Sequence, residues 1–230
     1  MAHARNQGQF VYWILFGRWI TLGNTILIVD DSTYIVDGLV ALLKRRGYNP
    51  IASHGGDEAL ALLTKVKPDL ILLDIMMEPM DGWETLDRFK SNPETCNVPV
   101  LMFSAKKITP EEAKEHAINI EDFVSKPVNP AQLLEAIQRI FTRRTSVSSE
   151  VSEAKDAGHD AVLVDEYAAL RKSIEVDKNL LSVLKKSTGM EQAGGEVRAD
   201  DVASVHTLEE KIKTDEQRLK EIHEKFVKPE

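Results

Sequence analysis

A single cysteine, Cys96, is all the thiol chemistry available to this chain. An intrachain disulfide and a cysteine-rich zinc site are thereby excluded, and a reducing cytoplasm is the simplest home. An excess of positive charge is also missing: 29 Lys and Arg stand against 37 Asp and Glu, for a formal charge of -8. That balance argues against a nonspecific grip on nucleic acid or anionic lipid, while leaving room for a local basic patch. Long hydrophobic runs are absent as well. The most apolar stretch, residues 10–22 (FVYWILFGRWITL), is broken by Gly17 and Arg18 and falls short of the roughly 20 residues of a spanning helix. No small-residue cleavage site follows it, so a signal peptide fits poorly and stable membrane insertion is not expected. What the chain does have is 43% hydrophobic and 29% charged residues over a length of 230. This suffices for one real core with an extension.

Charge and texture divide the chain into segments. Residues 1–23 carry +2, residues 24–142 carry -6 and residues 143–230 carry -4. The first segment is read as a leader, disordered or non-native, in preference to an interfacial anchor with aromatics at headgroup depth. The second segment alternates in register. Apolar strand candidates at 25–30 (TILIVD), 50–53, 69–74 (DLILLD), 98–103 (VPVLMF) and 120–125 are separated by helical patterns at 32–46, 57–65, 82–90, 110–116 and 130–141. Continuous apolar strands between amphipathic helices predict an α/β fold whose parallel sheet is covered on both faces.

In such a sheet the chemistry gathers at the carboxyl ends of the strands. The first strand delivers Asp30 and Asp31 there, the third Asp74, the fourth Ser104, and the fifth Lys126 followed by Pro127. Three clustered carboxylates repel one another unless a cation sits among them, and hard oxygen ligands suit Mg²⁺. With the metal in place one carboxylate can act as nucleophile toward a phosphoryl group whose charge the metal and a lysine spread. Taken singly each residue is weak evidence, since an Asp after a strand is more often a helix cap and a Lys-Pro more often a turn. Their occurrence in order over the strand ends is what points to a phosphoryl acceptor.

Residues 24–142 resemble the receiver domain of two-component response regulators. The resemblance rests on Asp30-Asp31, Asp74 closing LILLD, MDGWE at 80–84, Ser104-Ala105 and Lys126-Pro127, and on intervals of 43, 30 and 22 residues between Asp31, Asp74, Ser104 and Lys126. It implies a flavodoxin-like, doubly wound, five-stranded sheet with Asp74 as the phospho-accepting aspartate. Asp30, Asp31, Asp74 and the Met76 carbonyl would then hold Mg²⁺, and Ser104 and Lys126 would contact the phosphoryl group. Phe123, three residues before Lys126, takes the place of the family's switch aromatic, paired in that role with Ser104; the alternative for Phe123 is an ordinary core residue. Two departures occur: Pro79 falls one place later than usual, and Asn119 stands where the family has Gly, although Asn tolerates left-handed backbone well.

Residues 143–160, rich in Ser, Glu and Ala, read as a linker or a frayed helix extension. Residues 161–230 predict an α-helical, coiled-coil or hairpin extension. Leu163, Tyr167, Leu170, Ile174, Asp177, Leu181 and Leu184 recur at spacings of four and three, and Val205, Leu208, Ile212, Asp215, Leu219, Ile222 and Phe226 repeat the alternation after GMEQAGG at 189–195. The alternative is two surface helices packed on the receiver or on each other. One Asp on each seam costs stability unless paired. His206, followed by Glu209 and Glu210, reads as a surface histidine rather than a phosphotransfer site.

The expected function is that of a response regulator in a phosphorelay, a phospho-acceptor rather than a turnover enzyme. A sensor histidine kinase or phosphotransfer protein donates to Asp74, and the state passes to a downstream protein target by contact, through a homodimer in one version. No nucleic-acid partner and no DNA-binding output are expected. The alternatives are a phosphate sink or shuttle, and an unphosphorylated scaffold.

Overall fold

The computed structural model describes residues 5–6, 9–14, 18–21, 23–105, 109, 112, 116, 119–187 and 199–227. The helix expected over 110–116 lies almost wholly outside the described residues, and residues 189–195 lie outside them entirely. The chain divides into two compact units, Met1–Phe103 and Ser104–Glu230.

In the first unit, β1 (Arg5–Asn6), β2 (Gln9–Ile14) and β3 (Arg18–Thr21) form an antiparallel sheet in that order. A leader, disordered or non-native, was the expectation here. Its aromatic and β-branched residues instead favour extended backbone, and Trp13 stands opposite Trp19 and Tyr12 opposite Ile20 across the β2–β3 pair.

The second sheet contains β4 (Thr25–Val29), β5 (Asn49–Ser53), β6 (Leu70–Asp74), β7 (Val100–Ser104) and β8 (Asp122–Ser125), in the order β5-β4-β6-β7-β8. It is the parallel, doubly wound arrangement expected. Ile26 to Val29 and Leu70 to Leu73 have no exposed surface. Strands covered on both faces cannot alternate polar and apolar residues, which is why these read as unbroken apolar runs. Helix α1 (Thr33–Arg45) turns Val36, Leu39 and Leu43 into the core at spacings of three and four, and α2 (Gly56–Leu63) adds Ala59 and Leu63. Helix α1 stops at Gly47, whose φ of 84° lies in the left-handed region that favours glycine. Helix α3 (Gly82–Ser91) starts on Asp81, whose side chain accepts a hydrogen bond from Glu84 N, and buries Thr85, Leu86 and Phe89.

The second unit is organised around long helices. Helix α4 (Pro130–Asp156) has Asn129 as its N-cap, accepting from Ala131 N at 2.9 Å, and Pro130 in its first turn. It was expected to close at residue 141, with a linker or frayed helix to follow. It continues instead for about four more turns, so most of residues 143–160 is helix. Gly158 at φ 82° ends it, with His159 N donating to Ala154 O, and Asp160 restarts the chain by accepting from Val162 N at 2.7 Å. Helix α5 (Ala161–Ser187) and helix α6 (Ala199–Val227) follow. Lys178 pairs with Glu216, Lys185 with Glu209, and Arg218 with Glu166. The partners run in opposite orders along the two helices, which makes an antiparallel hairpin.

Its seam keeps the expected alternation on α6, where Val205, Ile212 and Ile222 are buried. On α5 the buried face is wider: Val164, Val176 and Leu180 join Tyr167, Ile174, Asp177 and Leu184, while Leu163, Leu170 and Leu181 are only half-buried. The reason is that α5 packs on α4, α6 and β8 at once, and no single heptad stripe can serve three neighbours. His206 is exposed, as a surface histidine should be.

Both seam aspartates are paired. The Lys211 ammonium bonds Asp177, Ser173 Oγ at 2.8 Å and Asp215 at 3.1 Å. Burial works against the Lys211 charge, but the bonds to Asp177 and Asp215 outweigh it and hold its pKa above the ordinary lysine value. Asp177 is only 3% exposed, so Lys211→Ala strands a buried carboxylate. We expect a loss of roughly 1–3 kcal/mol, moderated by the lysine's own half-exposure, as a lower denaturation midpoint followed by helical circular dichroism. Asp177→Asn should cost less than Lys211→Ala, because it leaves no uncompensated charge.

Tyr167 supplies a pH-dependent contact between α4 and α5. Its hydroxyl donates to Glu150 at 2.6 Å, and burial together with this bond pushes its pKa from 10.0 to about 12. A pKa raised on folding stabilises fully below the unfolded value and is lost as pH climbs through the folded one. The expected result is an α4–α5 contact that weakens between pH 10 and about 12, with one tyrosine ionising late in an ultraviolet titration. Tyr167→Phe should remove that late step.

Candidate functional site

From β4 the chain passes to β5 on one side and then crosses to β6 on the other, so the strand order reverses between β4 and β6. That switch point leaves a crevice at the carboxyl ends of the two strands. Asp30 and Asp31 follow the last residue of β4, and Asp74 is the last residue of β6. One carboxylate oxygen from each of the three lies within 4.8 Å of the others.

Asp30 is fully buried, Asp74 is 2% exposed, and Asp31 faces solvent. Asp30 Oδ1 accepts from Ser32 N at 2.8 Å, and Asp31 Oδ2 accepts from Glu78 N at 3.3 Å. Ser32 occupies the N-cap position of α1 but makes no side-chain capping bond. The two carboxylates are thus held by backbone amides, and Asp30 N donates to Ser53 O of β5 at 3.2 Å. Two carboxylates about 4–5 Å apart repel by roughly 3–4 kcal/mol at an effective dielectric near 20. A divalent cation with hard-oxygen preference fits this donor set, because it replaces that repulsion with attraction and leaves positions open for a second ligand.

The loop after Asp74 brings Met76, which is 56% exposed, and returns through Gly82. Gly82 N donates to Ile75 O at 2.9 Å. A Cβ at Gly82 would meet the Asp74 carbonyl oxygen at 2.0 Å and Ile75 Cα at 2.6 Å. Only a glycine lets the first turn of α3 lie against the end of β6, and so the MDGWE stretch positions the acceptor strand. Pro79, the unexpected proline of this loop, follows a cis peptide bond.

In the second unit, Ser104 ends β7 and is 1% exposed, and Lys126, half-buried, follows the last residue of β8. Lys126 N donates to Ser104 O at 2.7 Å. Phe103, the residue before Ser104, is the register partner of Asp74 across β6 and β7. Phe123 lies within β8 with its side chain 4% exposed.

One constellation was not legible in the sequence. Glu121 and Asp122, at the start of β8, are each 4% exposed. Glu121 is met by Arg143, by Arg144 at 3.4 Å and by Lys172 at 3.4 Å, and Asp122 by Arg139 at 2.6 Å and by Asn179. Burial raises the pKa of Asp122 above its ordinary value even against the pull of Arg139. The available signal was an acidic pair opening an apolar strand, followed by Arg139, Arg143 and Arg144 on one helix.

A five-stranded parallel sheet wound in this order, with three carboxylates at its switch point, defines a receiver-type α/β domain. Residues 26–138 match the family described as the response regulator receiver domain, and residues 143–230 match the one described as metanogen output domain 2. The C-terminal helices, for which no DNA-binding output was expected, fall within that second match.

Among curated proteins, Protein PilG of Pseudomonas aeruginosa is 33% identical over 116 residues, covering 50% of this chain and 86% of PilG. The alkaline phosphatase synthesis transcriptional regulatory protein PhoP of Bacillus subtilis is 30% identical over 164 residues, covering 68% of this chain and 67% of that protein. The chain spans 56% of the length of the phosphate regulon transcriptional regulatory protein PhoB of Pseudomonas aeruginosa, at 31% identity. Among solved structures, the N-terminal domain of a response regulator receiver protein from Methanoculleus marisnigri JR1 is 56% identical over 50% of this chain and 94% of that one, with a TM-score of 0.44. The protein belongs to the response regulators of two-component signalling.

Gly82→Ala tests the close approach directly. The displaced helix start should cost roughly 1–3 kcal/mol of stability, read as a lowered denaturation midpoint. Gly38→Ala, on an α1 position with open space around it, should be neutral or slightly stabilising.

Proposed function

We propose that this chain accepts a phosphoryl group on Asp74 from a sensor histidine kinase or a phosphotransfer protein, and passes the resulting state to a downstream protein by contact. The observation that carries the reading is the gathering of the Asp30, Asp31 and Asp74 carboxylates, oxygens within 4.8 Å, at the switch point of a receiver-type sheet. Asp30, Asp31, Asp74 and the Met76 carbonyl are the groups that would hold the metal, and Mg²⁺ is the cation their chemistry suits. When bound, it supplies charge neutralisation for the carboxylates and for the oxygens of the incoming phosphoryl group.

A carboxylate oxygen of Asp74 attacks phosphorus in line, and the bond from phosphorus to the donor's imidazole nitrogen breaks, its electron pair leaving with that nitrogen. Burial of Asp74 keeps bulk water from competing for the same phosphorus. Lys126 contributes a compact cation to the phosphoryl oxygens and Ser104 a hydroxyl donor. Movement of Ser104 toward that group, with repacking of Phe123, biases the surface around β8. The chain turns over no substrate of its own and acts in the cytoplasm. The match of residues 143–230 to an output-domain family supports a relay over a phosphate sink.

Incubation with a small phosphodonor and Mg²⁺ should give a base- and hydroxylamine-labile label on the wild type, reduced to background in Asp74→Asn and by chelation of the metal. Lys126→Ala should lower uptake about tenfold or more, the scale of one charge-assisted hydrogen bond. Label retained in Asp74→Asn would overturn the assignment.

A further inference from the structure

Strand β8 is the last strand in its sheet's order, and the segment that opens it is gripped by side chains from outside the receiver match. Asn179, in the middle of α5, donates to Asp122 Oδ1 and to the Phe123 carbonyl, the latter at 3.1 Å. Lys172, two turns earlier on the same helix, reaches Glu121 at 3.4 Å. All three receiver groups lie within residues 26–138, and both α5 groups lie within residues 143–230. The grip falls on consecutive residues, Glu121 to Phe123, at the entry to the strand that ends one residue before Lys126.

Three features make this more than helix packing. Asn179 bonds a backbone carbonyl, so it senses the path of the strand and not the identity of its side chains. Glu121 and Asp122 are buried, and a buried carboxylate that loses a partner pays a desolvation penalty at once. The contact therefore favours one position of β8 sharply, as a two-state element requires. Finally, α5 lies in an antiparallel hairpin with α6, pinned by Lys211 between Asp177 and Asp215. A shift at Asn179 is thus imposed on a stiff helix pair.

We propose that Asn179 and Lys172 form a latch through which α5 holds β8, making Asn179 a positioning residue that sets how readily Asp74 is phosphorylated. The proposal rests on the phospho-acceptor reading above. Coupling between two sites is reciprocal: if occupancy of Asp74 moves the strand that α5 grips, then the grip changes the affinity of Asp74's site by the same factor. The output helices act in this way on the receiver as well as the receiver on them.

The test uses the full chain with Mg²⁺ and beryllofluoride, a phosphoryl mimic. Its affinity is measured for the wild type, Asn179→Ala, Lys172→Ala, Lys172→Arg and Lys178→Ala, with thermal unfolding checked for each. Asn179→Ala and Lys172→Ala should shift the dissociation constant by about fivefold or more, in the same direction, the lower end of ordinary allosteric coupling. Lys172→Arg, which keeps the ion pair with Glu121, should stay near the wild type. Lys178→Ala removes an α5–α6 ion pair without touching β8 and should also leave the affinity unchanged.

In the wild type, beryllofluoride should alter amide exchange of the helix around Asn179, and this response should vanish in Asn179→Ala. Binding by the wild type with an unshifted constant in Asn179→Ala would overturn the latch alone. An equal shift in Lys178→Ala would overturn it too, by showing that any loosening of the helices has the same effect. A wild type that binds no beryllofluoride would instead overturn the phospho-acceptor reading, and the latch with it.

Discussion

Mutual repulsion among three carboxylates is the constraint on which the first unit depends. Asp30, Asp31 and Asp74 come from two strands far apart in the chain, and parallel pairing of β4 with β6, Ile26 opposite Leu70 through Val29 opposite Leu73, delivers them to one edge. A fold gains nothing in stability from crowding like charges. Everything nearby therefore holds the acids in position: the Ser32 and Glu78 amides bond them, Gly82 lets α3 close against β6, and the strands beneath have no solvent exposure. The crowding is tolerable because the donor set suits a divalent cation, which would replace repulsion with attraction.

The second unit handles buried charge by a different route, with fixed protein partners in place of a mobile ion. Glu121 and Asp122 are neutralised by Arg139, Arg143, Arg144 and Lys172, and Asp177 by Lys211. Such pairs add little net stability against a well-packed apolar alternative, yet removing one partner is costly. Their effect is to specify register: the α5–α6 hairpin and the seating of α5 on β8 each have one arrangement in which every buried charge is met.

How well the sequence foretold each part follows from the range of the interactions involved. Continuous apolar runs such as LILLD, the glycine that ends α1 and the Asp81 cap of α3 are local features, and all five strands of the main sheet were found within a few residues of their observed limits. The candidate acids were legible for the same reason, since each closes or follows a strand. The continuation of α4 was not, because Ser-rich composition weighs against helix while Tyr167 and Arg171 on a neighbouring helix hold Glu150 in place. The strands of residues 5–21 were likewise hidden behind the ambiguity of a short terminal apolar stretch.

Sequence alone determined the parallel α/β class, the identity of the acidic triad and the seam positions of the last helix, because each follows from residue type and spacing along one element. Tertiary structure alone decided that α5 must bury a face wide enough for three neighbours, that Lys211 answers both seam aspartates, and that Asn179 reaches the backbone of β8. The bonds from Lys211 to Asp177 and from Asn179 to Asp122 join residues 34 and 57 positions apart. No periodicity encodes them; they exist only once packed helices bring the groups within bonding distance in a medium that makes an unmet charge expensive.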